Sequence, residues 1–235
     1  LPLLQSYGVN TDNIIIYEGA TGQAIIQLDK KKQNAIVLYP GGNGSITKEE
    51  ITTVINKYHK GDLLVLQNEI SHLKEVIEAG SSRGLKICLN PSPYTKTIEE
   101  LPLHLIDIFF VNEIEGAAIA AMPVDAPPRD VLDKLVRRFP SAEIILTAGK
   151  DGAYYGYKEI REKGEIIDLP VVDTTGAGDT FTGYFLAARY RGYTVKKALD
   201  LACRASSIAI SRKGAMESIP FAKEVFSSLK TADEK

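Results

Sequence analysis

Between residues 45 and 150 short apolar runs alternate with amphipathic helical patterns, and this rhythm constrains the fold more than any other feature of the chain. The runs are Leu63 to Leu66, Lys86 to Leu89, Ile106 to Val111 and Glu143 to Thr147. Helical patterns near Leu73 to Arg83, Glu113 to Ala121 and Arg129 to Phe139 separate them, and a Thr47/Glu50 capping box opens an earlier helix that runs to about Tyr58. Strand and helix in alternation predict an α/β fold, a mostly parallel sheet covered by helices on both faces. Ligands of such sheets bind beyond the carboxyl ends of the strands. Gln67-Asn68-Glu69, Asn90-Pro91, Asn112 to Glu115 and Ala148 to Gly152 hold those positions.

The flanks differ in texture. Ile14 to Tyr17, Gly22 to Leu28 and Asn34 to Tyr39 are rich in β-branched residues, with a polar turn at Asp29 to Gln33, and predict a small sheet or hairpin. Ala153 to Tyr157 and Glu165 to Val172 predict a second short β region. Two helices follow, with Phe181, Tyr184, Phe185 and Ala188 on one apolar stripe and Val195, Ala198, Leu199, Ala202 and Ala209 on the next. No repeat or linker divides the chain. With 28 Lys and Arg against 30 Asp and Glu, the net charge of −2 lacks the electrostatic footprint of a nucleic-acid or anionic-membrane partner. No apolar run reaches the ~18 residues of a membrane span. Cys88 and Cys203 have neither disulfide-framework nor zinc spacing, so a small-molecule ligand and the cytoplasm are the expectation. His59, His72 and His104 share no ligand-like spacing and are expected on the surface.

Chemistry concentrates in Asp173-Thr174-Thr175-Gly176-Ala177-Gly178-Asp179, between the second β region and an amphipathic helix. Gly176 and Gly178 allow backbone N–H groups to point at an anion at the helix N-terminus, while Asp179 falls in the first turn, where the dipole stabilises a carboxylate. Phosphoryl transfer to a hydroxyl uses both features, with Asp179 taking the alcohol proton and the amides taking up charge on the phosphate. From spacing alone, a plain helix cap with turn glycines fits equally well.

The stretch Asp173 to Phe181 resembles the D-T-x-G-A-G-D-x-F motif of the ribokinase-like, PfkB-type carbohydrate kinases, and the resemblance runs from Asn10 to Ile219. It implies a three-layer αβα sandwich, with residues 1–13 and 40–235 as the kinase core and 14–39 as a β lid that closes on the sugar and builds a homodimer. It also implies Asp179 as catalytic base and Gly176, Ala177 and Gly178 as the anion hole. Asn112-Glu113-Ile114-Glu115 resembles the family's N-x-x-E motif, which puts Asn112 near the nucleotide phosphates and Glu115 near Mg²⁺ through water; Asn112 also reads as a helix N-cap. Thr147, Gly149 and Gly152 match the T-x-G-x-x-G nucleotide loop. Asp173, Thr175, Ala209, Arg212, Gly214 and Ser218 match positions that hold an activating monovalent cation, K⁺, largely through carbonyl oxygens. Cys203 stands where many members place an Asn near the adenine, and a small buried thiol is the expected departure. Glu69 and Asn43, the latter in Gly41-Gly42-Asn43-Gly44, match sugar-side positions.

The implied reaction moves the γ-phosphoryl of MgATP to a primary hydroxyl of a small sugar, D-ribose. Fructokinase, ketodeoxygluconate kinase and nucleoside kinase are alternatives within the family, and a non-catalytic nucleotide-binding regulator is one outside it. A G-x-x-x-x-G-K-S/T loop and a G-x-G-x-x-G opening a βαβ unit are both missing, which argues against a P-loop NTPase and a dinucleotide oxidoreductase. The sequence begins at Leu1 rather than Met and lacks the family's opening strand and sugar-gripping Asp and Asn. A piece of a longer kinase is therefore expected, over a truncated polypeptide that binds nucleotide without efficient phosphorylation.

Overall fold

The computed structural model describes residues 1–28 and 34–230, with side chains at 1–25 and 37–226. The expected turn at Asp29 to Gln33 lies outside the described residues. The chain divides into two compact units, Leu1–Ile106 and Asp107–Lys235.

The first unit opens with a short helix α1 (Pro2–Ser6), followed by an antiparallel pair β1 (Gln23–Leu28) and β2 (Asn34–Tyr39), in register from Gln23 opposite Tyr39 to Leu28 opposite Asn34. The hairpin expectation holds there. Ile14 to Tyr17, expected as β, belongs to no strand: Ile16 is 78% exposed, the stretch lines a groove, and among the described residues no strand pairs with it. Helix α2 (Lys48–Ile55) begins at the expected capping box, in which the Glu50 N–H donates to the Thr47 hydroxyl (3.2 Å) and the Thr47 N–H to the Glu50 carboxylate (2.8 Å). Strand β3 (Leu63–Gln67), helix α3 (Leu73–Arg83) and strand β4 (Lys86–Asn90) form a parallel βαβ unit. Val76, Ile77, Ile87 and Leu89 of this unit are buried, as are Ile51 and Ile55 of α2. Gly80 permits the close approach of α3, since a Cβ there would stand 2.6 Å from Leu64 Cδ2.

The second unit carries β5 (Ile108–Asn112), α4 (Glu113–Ile119), α5 (Pro128–Arg138), β6 (Glu143–Thr147), β7 (Ala153–Tyr157) and β8 (Ile160–Gly164), then α6 (Ala177–Tyr190), α7 (Val195–Ile210) and α8 (Ala222–Lys230). Strands β5 and β6 pair parallel, whereas β6 with β7 and β7 with β8 pair antiparallel. The second β region thus ends earlier than Glu165 to Val172: its return strand is Ile160–Gly164, and 165–172 form no regular element. A tight turn with Lys158 in the left-handed region (φ 48°) reverses the chain without a glycine, and the polar run Ile-Arg-Glu-Lys suits a strand whose outer face meets solvent. The two apolar stripes pack as expected. Phe185 is fully buried and meets Phe110 edge-on at 5.6 Å and Phe181 stacked at 6.3 Å, while Ala198, Leu199, Ala202 and Ala209 of α7 are buried. Among the described residues, no helix is long and apolar enough to cross a membrane. All three histidines are exposed.

Candidate active site

The carboxyl ends of β5 and β6 lie side by side, with Asn112 opposite Thr147, because the two strands pair parallel and in register. β5 runs directly into α4, whereas β6 is followed by a glycine-containing loop. Asn112 caps α4 reciprocally with Glu115: its N–H donates to the Glu115 carboxylate (3.0 Å), and the Glu115 N–H donates to the Asn112 side-chain oxygen (2.9 Å). The capping role of Asn112 is therefore realised, and Glu115 is only 5% exposed. The Thr147 hydroxyl donates to the Val111 carbonyl (3.4 Å), tying the two strand ends together. Beyond it, the Ala148 N–H donates to the Gly152 carbonyl (2.8 Å) across a single 3₁₀ turn, Gly149–Asp151. Gly152 sits at φ 84°, and a Cβ there would fall 2.1 Å from the Gly164 carbonyl oxygen, so only glycine fits.

A second loop cluster closes around Asp173. The Thr175 hydroxyl (2.7 Å) and N–H (3.0 Å) donate to one of its carboxylate oxygens, and the Gly214 N–H donates to the other (3.1 Å). These bonds, that from the Thr175 hydroxyl foremost, hold the Asp173 carboxyl below the usual range. Asp173 thereby joins two loops 41 residues apart. In the second loop, the Ser218 hydroxyl donates to the Ala215 carbonyl (2.7 Å), the Arg212 N–H donates to the Ala209 carbonyl (3.0 Å), and the Arg212 guanidinium pairs with Glu224. Gly214 takes φ 99°. Five of the six residues expected around a monovalent cation thus lie on two loops pinned to each other, and the sixth, Ala209, is in the last turn of α7.

Helix α6 starts directly after the first of these two loops, with Gly176 beside Ala215 of the second. Gly176 takes φ 73°, turning the chain so that Ala177, Gly178 and Asp179 form the first helical turn, where N–H groups have no intrahelical acceptor. The Ala177 N–H turns back to the Thr174 carbonyl (3.2 Å). Gly178 and Asp179 are exposed, and a Cβ on Gly178 would meet nothing within 4 Å, so the space before the turn is open. Asp179 also lines an apolar pocket of about 330 Å³ with Tyr184, Ala187, Leu201, Ile219 and Phe226. The Ser206 hydroxyl on α7 donates to the Ala177 carbonyl (3.0 Å). Sequence reasoning passed over Ser206; the available signal was the polar pair Ser206-Ser207 within the apolar stripe of α7. Cys203 is 2% exposed with its Sγ packed beside Gly164, and burial pushes the thiol up to about 12. The thiol contributes packing there rather than surface.

The first unit holds the remaining two positions. Asn43 is fixed by its backbone: its N–H donates to the Pro40 carbonyl (3.1 Å), and its carbonyl accepts from the Ser71 N–H (2.9 Å). It lines a groove of about 550 Å³ with Ile14, Tyr17, Ile46 and Ile51. Glu69 is exposed on the loop after β3, which the Asn68 amide anchors to the Pro93 carbonyl (2.7 Å).

Residues 1–222 match the model of the pfkB family carbohydrate kinases. The ribokinase of Staphylococcus aureus (strain COL) is 31% identical over 213 residues, covering 88% of this chain and 69% of the relative. The deoxyribokinase of Salmonella typhi is 28% identical, covering 92% and 72%. Among solved structures, the ribokinase of Cryptococcus neoformans var. grubii in complex with ADP superposes with a TM-score of 0.83 at 29% identity, covering 97% of this chain and 78% of its own. The ribokinase-like α/β fold, a mostly parallel central sheet flanked by helices together with a small antiparallel sheet, is the fold of this chain. The chain belongs to the pfkB family of carbohydrate kinases, phosphotransferases whose acceptor is an alcohol group.

Proposed function

We propose that the protein is an ATP-dependent sugar kinase that transfers the γ-phosphoryl of MgATP to a primary hydroxyl of D-ribose. The observation that carries this reading is the first turn of α6, where Asp179 stands next to the open backbone of Gly178. The Asp179 carboxylate takes the proton of the acceptor hydroxyl as the new O–P bond forms and the bond to ADP breaks. Amides of the Gly176-Ala177-Gly178 turn take up charge on the phosphoryl group. Asn112, Thr147, Gly149 and Gly152 border the nucleotide, where glycine backbone allows close approach.

Mg²⁺ bound with ATP neutralises phosphate charge, and Glu115, a carboxylate within the α4 cap, would act on it through water. K⁺ suits the oxygen donors of Asp173, Thr175, Ala209, Arg212, Gly214 and Ser218, next to the turn that binds the anion. On the sugar side we place Asn43 and Glu69. The β1–β2 hairpin serves as the lid and, through its exposed Ile25, Val37, Leu38 and Tyr39, as a homodimer contact. Free, buried cysteines accord with the cytoplasm.

Ribose is favoured because ribokinases recur among the relatives. A coupled ADP-release screen over ribose, deoxyribose, fructose, ketodeoxygluconate and nucleosides, with and without K⁺, tests the reading. Ribose should give the highest kcat/KM, and Asp179→Asn should abolish turnover while leaving ATP binding intact. Undiminished turnover in that variant, or ATP binding without sugar-dependent ADP release in the parent, would overturn it.

A further inference from the structure

We infer that Ser206 is a positioning residue for phosphoryl transfer, acting through the peptide group between Ala177 and Gly178; the inference rests on the kinase reading above. The Ser206 hydroxyl donates to the Ala177 carbonyl at 3.0 Å. That carbonyl and the Gly178 N–H belong to one planar peptide unit, so a bond to the oxygen fixes the direction in which the N–H points. Gly178 is exposed, and its N–H lies in the first turn of α6, at a helix position that has no intrahelical acceptor.

Two physical effects follow from the one bond. A carbonyl oxygen has two acceptor sites, so Ser206 can bind alongside the helical amide that also uses this oxygen. Donation to the carbonyl polarises the peptide and strengthens the N–H as a donor, as in any hydrogen-bond chain. The bond also crosses from α7 to α6 and ties the first turn of one helix to the other. Side-chain packing sets the distance between the helices, and the Ser206 hydroxyl sets the tilt of the Ala177–Gly178 peptide plane, one of those assigned to the anion. This contribution grows as charge accumulates on the transferred group, so it belongs to the transition state more than to ground-state nucleotide binding.

A preorganised donor is worth about 10² to 10³ in kcat, and polarisation through one hydrogen bond changes a donor's strength by about 10 to 30%. Ser206→Ala should therefore lower kcat about two- to eightfold with the KM for ATP unchanged, and Ser206→Thr, which keeps the hydroxyl, should restore it. The second readout needs no turnover: in ¹⁵N-glycine-labelled protein, the Gly178 amide resonance should shift in Ser206→Ala and return in Ser206→Thr. A Gly178 resonance that moves no more than that of Gly183, one turn further along α6, would overturn the inference. So would an unchanged kcat, or a loss confined to KM. If the parent protein shows no sugar-dependent ADP release, the kinase reading fails by itself, and the Gly178 resonance alone decides the link between Ser206 and the peptide.

Discussion

Replacing Gly178 by Ala should raise stability and suppress catalysis at the same time, a combination that a purely structural glycine cannot give. Gly178 is the second residue of α6, has no positive φ, and would place an added Cβ in open space. Neither strain nor a clash with the protein opposes the change. Glycine costs a helix about 0.5 to 1 kcal/mol relative to alanine, so the variant should be more stable by up to about that amount, less whatever the first turn already loses to fraying. The new Cβ, however, tilts toward the N-terminus of the helix, the direction from which an anion approaches. A methyl group there holds a phosphate about 1 Å further from the amides, and a displacement of that size costs about 10² in rate. Urea denaturation with a two-state fit gives the stability change, and a coupled ADP-release assay with ribose gives kcat/KM. A more stable variant with kcat/KM about a hundredfold lower is expected. Full activity would refute the anion-hole assignment, and a loss of more than about 1 kcal/mol would refute the conformational reasoning.

Gly152→Ala should have the opposite stability signature: at φ 84°, with a Cβ 2.1 Å from the Gly164 carbonyl oxygen, it should cost about 2 to 5 kcal/mol from left-handed strain plus a backbone clash. A denaturation midpoint within error of the parent would contradict the turn geometry. Acidification should also destabilise the fold. The Lys48 ammonium holds Glu75 down to about 2, the Thr47 N–H lowers Glu50, the Thr175 hydroxyl lowers Asp173, and the Arg212 guanidinium lowers Glu224. Each of these carboxylates binds protons more weakly folded than unfolded, so their contribution is complete above the ordinary carboxylate range and is lost as pH falls from about 5 toward 2. A urea midpoint that stays level or rises between pH 5 and pH 3 would contradict those interactions.

What was legible in the sequence followed from local rules. The Thr47/Glu50 box is contained within four residues, and the parallel strands were visible because β3, β4, β5 and β6 are short runs rich in apolar residues. Phe181, Phe185 and Ala188 were placed correctly because a 3.6-residue period is set along one chain segment. The misplacements share a cause. Ile14 to Tyr17 and Glu165 to Val172 have strand-like composition, but a strand exists only where another backbone pairs with it. At Ile160–Gly164 the polar sequence Ile-Arg-Glu-Lys-Gly pairs with Ala153–Tyr157, in spite of its composition, because a tight turn at Lys158 delivers it there. The site divides in the same way. Asp179 and Gly178 belong to one contiguous motif, whereas the bond from Asp173 to Gly214 spans 41 residues and that from Ser206 to Ala177 spans 29. Ser206 shows why the second kind is hidden: in sequence it is one more small residue on a helix of small residues. Only the tertiary crossing of α7 over the first turn of α6 brings its hydroxyl to the peptide that carries the Gly178 N–H. A motif names the groups that touch the phosphate, and the groups that aim them have to be found in the packing.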